Sequence, residues 1–243
     1  MPIVLVHGAW SGGWSWSDAA RLLRKRGYEV YNPSLSGLAD RNHIHPDDIS
    51  LSSHIADIAG LMRYENLRNV LIVGHSYGGM VITGAADREI DRVAGMIYVD
   101  AFVPDNGQSL WDCCPPGRRE LQTNAAKEHD GGHSIPRTNP NNAPDDATAA
   151  YWETLFTPQP IQTFSEPFVS TRDRLVWPPR HYFMCTKDPN STFRQIGPRF
   201  QNAPGWGYGE FDELHDVVRT HPQMVADAIL KVADNWGLKP DNV

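Results

Sequence analysis

The sequence predicts an α/β fold: a mostly parallel sheet of about six strands, covered by helices on both faces. Three observations carry this expectation. Short apolar runs recur at residues 3–6, 70–73, 96–99 and 181–185, and they do not alternate with polar residues, as strands buried on both sides require. Helix-like segments lie between them. Strand and helix then alternate along the first half of the chain, which is the order a parallel sheet needs.

Taken in order, the run at 3–6 is stopped by Gly8. Ser17 can cap a helix through Arg26 with Leu22 and Leu23 inward, ended at Gly27. A short strand at 28–31 ends at Asn32-Pro33. Ser52 or Ser53 can cap a helix carrying Ile55, Ile58, Leu61 and Met62, and the strand at 70–73 leads into a helix over 77–87. The pattern stops at Pro104: of the 19 prolines, 11 lie between Pro104 and Pro179, with the turn-forming run N-P-N-N-A-P-D-D at 139–146. Trp111, Trp152, Phe156, Phe164 and Phe168 are spread among these breakers, too aromatic for a linker and too long for a plain loop. The expected division is therefore a core of residues 1–103 and 180–243 with an inserted cap, or lid, at 104–179, whose aromatics Trp111 and Phe156 would contact substrate. A weaker strand is expected at 208–211, and a last helix capped by Thr220, with Pro222 in its first turn and Gly237 at its end.

Composition narrows the function. The chain has 243 residues, 40% apolar and 21% charged, as a globular protein has. A net charge of −7 disfavours nucleic acid or an anionic membrane as partner. Cys113, Cys114 and Cys185 are an odd set with two adjacent members, which is not a disulfide framework. No apolar stretch approaches the ~20 residues of a membrane span, and a cytoplasmic location is expected. The sequence leaves a homodimer open.

Gly74-His75-Ser76-Tyr77-Gly78 matches G-x-S-x-G between an expected strand and an expected helix, the context of a nucleophile elbow. There Ser76 would be held in a strained turn with its hydroxyl exposed. Acyl transfer also needs backbone N–H donors for the oxyanion. Tyr77 follows the nucleophile, and Ala9, in the loop after the first strand, supplies the second expected donor. His7 reads as a structural, hydrogen-bonded residue at a strand end. The base is expected at His215, between the last strand and the last helix, and His221 reads as part of the helix start. The orienting acid should follow a strand. Asp188, after the run at 181–185, is favoured, and Asp100, after the run at 96–99, is its rival; Asp212 lies too near His215 along the chain. His43, His45, Asp47, Asp48 and His54, and His129, Asp130 and His133, lack a metal-binding spacing and read as solvated loop residues. Trp10, Trp14 and Trp16 either line a substrate cavity or staple the first helix to the sheet.

Val4-Leu5-Val6-His7-Gly8-Ala9-Trp10 with Gly12-Gly13-Trp14-Ser15-Trp16, then Gly74 to Gly79, Tyr98-Val99-Asp100-Ala101-Phe102-Val103-Pro104 and Cys185-Thr186-Lys187-Asp188, resembles the plant methylesterase and hydroxynitrile lyase family of the α/β-hydrolase superfamily, with its bacterial esterase and carbamate-cleaving relatives. The resemblance implies an α/β-hydrolase fold, a triad of Ser76, Asp188 and His215, oxyanion donors at Ala9 and Tyr77, and no cofactor. It implies a small ester or carbamate as substrate. The lyases of that family carry a threonine and a lysine where this chain has Gly8 and Asp216, a departure that favours hydrolysis of an ester, or else of a carbamate or amide, over cyanohydrin cleavage, and the intact Ser, Asp and His set argues against a non-catalytic ligand receptor.

Overall fold

Strand β1 (Pro2–Val6) is buried at every position, and its alternate side chains enter two different cores. Val4 and Val6 pack on one side of the sheet, Ile3 and Leu5 on the other. The same split divides Ile72 from Leu71 and Val73 on β3 (Val70–His75), and Met96 and Tyr98 from Ile97 and Val99 on β4 (Val93–Val99). This is why the runs are apolar without alternation: a side chain on either face leaves water. The structure, a computed structural model, describes residues 1–138, 142–170 and 177–240.

The sheet is parallel in every pairing, with order β2-β1-β3-β4-β7-β8, where β2 is Glu29–Tyr31, β7 is Arg180–Cys185 and β8 is Trp206–Phe211. Helices α1 (Ser17–Lys25) and α9 (Pro222–Asn235) cover one face; α2 (Leu51–Tyr64) and α3 (Gly78–Arg88) cover the other. Three helix starts differ from expectation, the first being α1, where Trp16 holds the cap position and Ser17 is already helical. Ser50, not Ser52 or Ser53, begins α2, because Ser50 and Ser53 satisfy each other's backbone N–H groups in a capping box. Thr220 belongs to the short α8 (Val217–Thr220), so His221 stands before α9 and Pro222 opens it.

Between β4 and β7 lie α4 (Arg118–Asp130), α5 (Asp146–Glu153), α6 (Gln162–Ser165) and a small antiparallel ladder of β5 (Ser134–Ile135) with β6 (Gln159–Pro160). Helix α7 (Phe193–Ile196) follows β7. The part of the expected turn at 139–141, and residues 171–176 of the expected cap, lie outside the described residues. Phe164 and Phe168 of this segment join the same core as Tyr77 and Met80, so it packs onto the end of the sheet where the parallel strands point their C-termini. That end is where ligands reach open α/β sheets.

Candidate active site

Ser76 follows β3 directly and adopts φ 55°, a left-handed conformation unusual for a residue with a Cβ. Its carbonyl accepts from the N–H groups of Gly79 (3.1 Å) and Phe102 (3.0 Å), so the turn is held from both sides. The elbow also needs Gly79: a Cβ there would sit 2.0 Å from the Phe102 carbonyl oxygen. Helix α3 starts at Gly78 and turns its N-terminal end toward the Ser76 turn.

His215 sits in the loop between β8 and α8. Its Nε2 lies 3.0 Å from Ser76 Oγ. Its Nδ1–H donates to Asp100 Oδ2 at 2.6 Å. The ring lies between Phe193, stacked at 4.8 Å and 9°, and His75 at 4.6 Å. His75 Nε2–H donates to the His215 carbonyl at 2.9 Å, so the residue just before Ser76 ties down the loop that carries the histidine. Burial pushes the His75 imidazole well below its ordinary value and keeps it neutral. Burial opposes charge on His215 too, but the hydrogen bond and charge of Asp100 outweigh it, and its pKa is raised.

The carboxylate partner of His215 is therefore Asp100, and the expectation of Asp188 is corrected. Asp100 is fully buried immediately after β4, the strand beside β3. Its N–H donates to the Phe183 carbonyl (2.7 Å), it takes φ 43°, and its Oδ1 accepts from Cys185 N–H at 2.9 Å. Two neighbouring strands thus aim this carboxylate at the histidine. Asp188 lies three residues past the end of β7, and its Oδ1 accepts from Asn190 N–H at 2.8 Å within its own turn. It lines the cavity without meeting His215.

The oxyanion loop is built around Trp10, another left-handed residue at φ 61°. The Gln159 side chain, wholly buried on β6, accepts Trp10 N–H at 2.9 Å, and Trp10 C=O accepts from Thr157 N–H at 2.9 Å. Trp10 Nε1–H donates to the Ile135 carbonyl of β5 at 2.8 Å. With these bonds formed, no described residue accepts the Ala9 or Tyr77 amide. The preceding Gly8 is pressed against the elbow: a Cβ on it would lie 3.0 Å from Ser76 Cβ and 3.2 Å from His75 Nδ1. Tyr77 is anchored by its hydroxyl, which donates to His54 Nδ1 (2.9 Å), while His54 Nε2–H donates to Ser36 C=O (2.8 Å). His54 is thus a buried tether and not the solvated loop residue expected. His7 donates from Nδ1 to Gly8 C=O and accepts Leu35 N–H at Nε2, and burial lowers its pKa to about 4.

These groups open onto a cavity of about 270 Å³, walled on the apolar side by Trp10, Leu110, Phe156 and Phe164. Trp111 does not line it. It sits behind the wall, its Nε1–H donating to Gln122 Oε1 at 2.7 Å and its ring edge-on to Phe164, so its expected contact with substrate is corrected. The three tryptophans divide: Trp10 faces the cavity, Trp16 is fully buried in the opposite core, and Trp14 packs edge-on to Phe156. Asp216, beside His215, is ion-paired with Arg219, whose guanidinium also lies 4.8 Å from the Trp152 ring and 4.9 Å from that of Phe156. Burial raises the Asp216 pKa, but the Arg219 charge outweighs it and the carboxyl stays ionised, so its negative charge is largely balanced. Among the described residues no group of three His, Cys, Asp or Glu side chains could hold a metal ion; His133 and Asp47 form an exposed pair at 2.6 Å.

Residues 3–228 match the alpha/beta hydrolase family. The chain belongs to that family. A carbendazim hydrolyzing esterase of Nocardioides sp. is 33% identical to this hydrolase over 239 residues, covering 93% of it and 97% of the relative. Methylesterase 2 of Arabidopsis thaliana is 36% identical over 110 residues, 44% of this chain and 41% of its own. Among solved structures, an extracellular alpha/beta-hydrolase from a Paenibacillus species superposes with a TM-score of 0.82 at 23% identity, over 95% of this hydrolase and 98% of its own chain. Sequence reasoning missed Phe193, His75 and Gln159. Only His75 carried a signal, as the residue inside the G-x-S-x-G motif that precedes the serine.

Proposed function

We propose that the protein is a serine hydrolase of small carboxylic esters acting through an acyl-enzyme on Ser76. The observation that carries this reading is the unbroken run of hydrogen bonds from Ser76 Oγ through His215 to buried Asp100, opening onto a cavity. Asp100 accepts the Nδ1 proton, so Nε2 of the neutral imidazole is left as the proton acceptor facing the serine. As Ser76 Oγ attacks the acyl carbon, its proton passes to Nε2, and the carbonyl oxygen becomes an oxyanion held by the Ala9 and Tyr77 amides. Nε2–H then protonates the leaving alkoxide. Water deprotonated by His215 attacks the acyl-enzyme, releases the acid and restores the serine. The segment at 104–179 acts as a cap that shapes the cavity.

A second reading, carbamate hydrolysis with the same groups, is favoured by the carbendazim hydrolyzing relative, whose likeness spans nearly the whole chain. Cyanohydrin cleavage is disfavoured by Gly8, which offers no hydroxyl to the substrate. The site is complete within one chain, so turnover does not call for a second copy. Three free thiols fit a reducing compartment such as the cytoplasm, and among the described residues no helix is long and apolar enough to cross a membrane.

The test is turnover of p-nitrophenyl acetate and of a methyl carbamate, with fluorophosphonate labelling of Ser76. Ser76→Ala is expected to lose labelling and to slow ester turnover by roughly 10⁴-fold. Near-normal turnover by the folded variant refutes the proposal.

A further inference from the structure

Gln122 lies on α4, is only 4% exposed and forms part of the wall of the Ser76 cavity. Its orientation is settled by chemistry. An indole Nε1–H can only donate, so the Gln122 atom 2.7 Å from Trp111 Nε1 is the carbonyl oxygen. The amide nitrogen therefore points the other way. Trp111 is itself held, edge-on to Phe164 at 6.4 Å and with the Arg119 guanidinium 5.2 Å from its ring centre. The carboxamide cannot turn over without breaking the bond to this fixed donor.

The Gln122 amino group carries two hydrogens, and no described residue accepts either one. The side chain that carries it lines the Ser76 cavity. Leu110, Phe164 and Arg118 line the same cavity, and their side chains offer no acceptor. No described side chain satisfies this donor. A ligand oxygen or nitrogen with a lone pair can.

We propose that Gln122 is a specificity-determining residue that donates a hydrogen bond to an acceptor on the substrate other than the scissile ester. The favoured substrates are then esters or carbamates bearing a neutral ketone, amide, ether or aza-aromatic acceptor on the acyl or the alcohol side. This rests on the hydrolase reading and adds a substrate class to it.

The experiment compares matched ester pairs that differ only in that acceptor: p-nitrophenyl pentanoate with p-nitrophenyl 4-oxopentanoate, and pentyl butyrate with 4-oxopentyl butyrate. The wild type should favour the oxo ester in one series by about tenfold in kcat/KM, equivalent to about 1.4 kcal/mol. Gln122→Leu should bring that ratio to about one. Gln122→Glu keeps an oxygen for Trp111 and turns a second acceptor into the cavity, so its ratio should fall below one. An oxo preference absent from the wild type in both series overturns the proposal, as does one that survives in Gln122→Leu. So does an equal loss on both esters, the mark of a merely structural role. If the leucine variant does not fold, an unchanged oxo preference in Gln122→Glu overturns it alone. Failure of the hydrolase reading has a different signature, in which the wild type turns over no plain ester and takes no fluorophosphonate label, and it overturns both.

Discussion

Replacing Asp100 by asparagine changes one side-chain oxygen to an amide nitrogen and leaves the shape alone. Asparagine is isosteric, so its Oδ1 keeps the 2.9 Å bond from Cys185 N–H, and the buried site stays filled. Its Nδ2 then occupies the place of the oxygen that lies 2.6 Å from His215 Nδ1. Two N–H groups cannot face each other, so Nδ1 gives up its proton and becomes the acceptor. The imidazole proton moves to Nε2, the atom 3.0 Å from Ser76 Oγ. A base that already carries its proton cannot take another from serine. Trapping the wrong tautomer costs about 10⁴ in kcat, or about 5.5 kcal/mol of barrier. The assay is kcat for p-nitrophenyl acetate on protein shown to be folded by circular dichroism. Asp188→Asn is the control: its turn bond to Asn190 N–H survives in asparagine, and a loss of no more than about threefold is expected. If Asp188→Asn loses a thousandfold while Asp100→Asn stays active, the role given to the Asp100 bond is wrong.

Three other outcomes are expected. Ser76→Gly should abolish turnover yet raise Tm by about 2–4 °C, because glycine removes the strain of φ 55°, a net gain of up to about 1 kcal/mol; a lowered Tm refutes the strain. The His215 pKa is raised, and the reaction needs the neutral ring, so activity is lost as pH falls through a value above the usual histidine pKa of about 6.5; an acid limb of kcat/KM centred at or below that value contradicts the strength of the Asp100 contact. Gln159→Leu deprives Trp10 N–H of its acceptor and frees the oxyanion loop, and should lower kcat on p-nitrophenyl acetate about tenfold to a hundredfold with KM little changed; unchanged kcat shows that the loop holds its shape unaided.

The sheet is legible in the sequence because its signal is local. A strand buried on both faces, such as Val70–His75, must be apolar throughout, and the glycines of the elbow mark where backbones approach. The choice between Asp100 and Asp188 is not local. Both follow strands, and what separates them is the Cys185 N–H from a neighbouring strand, 85 residues away, that aims the first at His215. His54 misleads for a similar reason. Its surroundings in sequence are polar, but starting α2 at Leu51 turns it inward beside Ile55 and Ile58. The segment at 104–179 shows little in advance, since α6 is four residues long and β5 and β6 two each, too short to show any period. Trp111 reads as a substrate contact, because nothing in the local sequence shows that its indole is taken by Gln122, eleven residues on.

The ladder of β5 and β6 touches Trp10 at two places, Gln159 on its amide and Ile135 on its indole, and Thr157, just before β6, holds its carbonyl. That stitching restricts how the family can diversify. Grafting a foreign cap onto this core, or tracking a cap's descent across relatives, cannot treat residues 104–179 as an interchangeable module. An exchange that brings new walls without an equivalent of Gln159 would deliver a roomier cavity over a slack oxyanion loop. Helix α4 is tied to the same ladder, because the Asp130 side chain at its end accepts from Ser134 N–H of β5 at 3.0 Å, so single wall residues such as Gln122 can change while the helix itself stays anchored. Substrate range can drift there from one lineage to the next while the chemistry underneath stays constant.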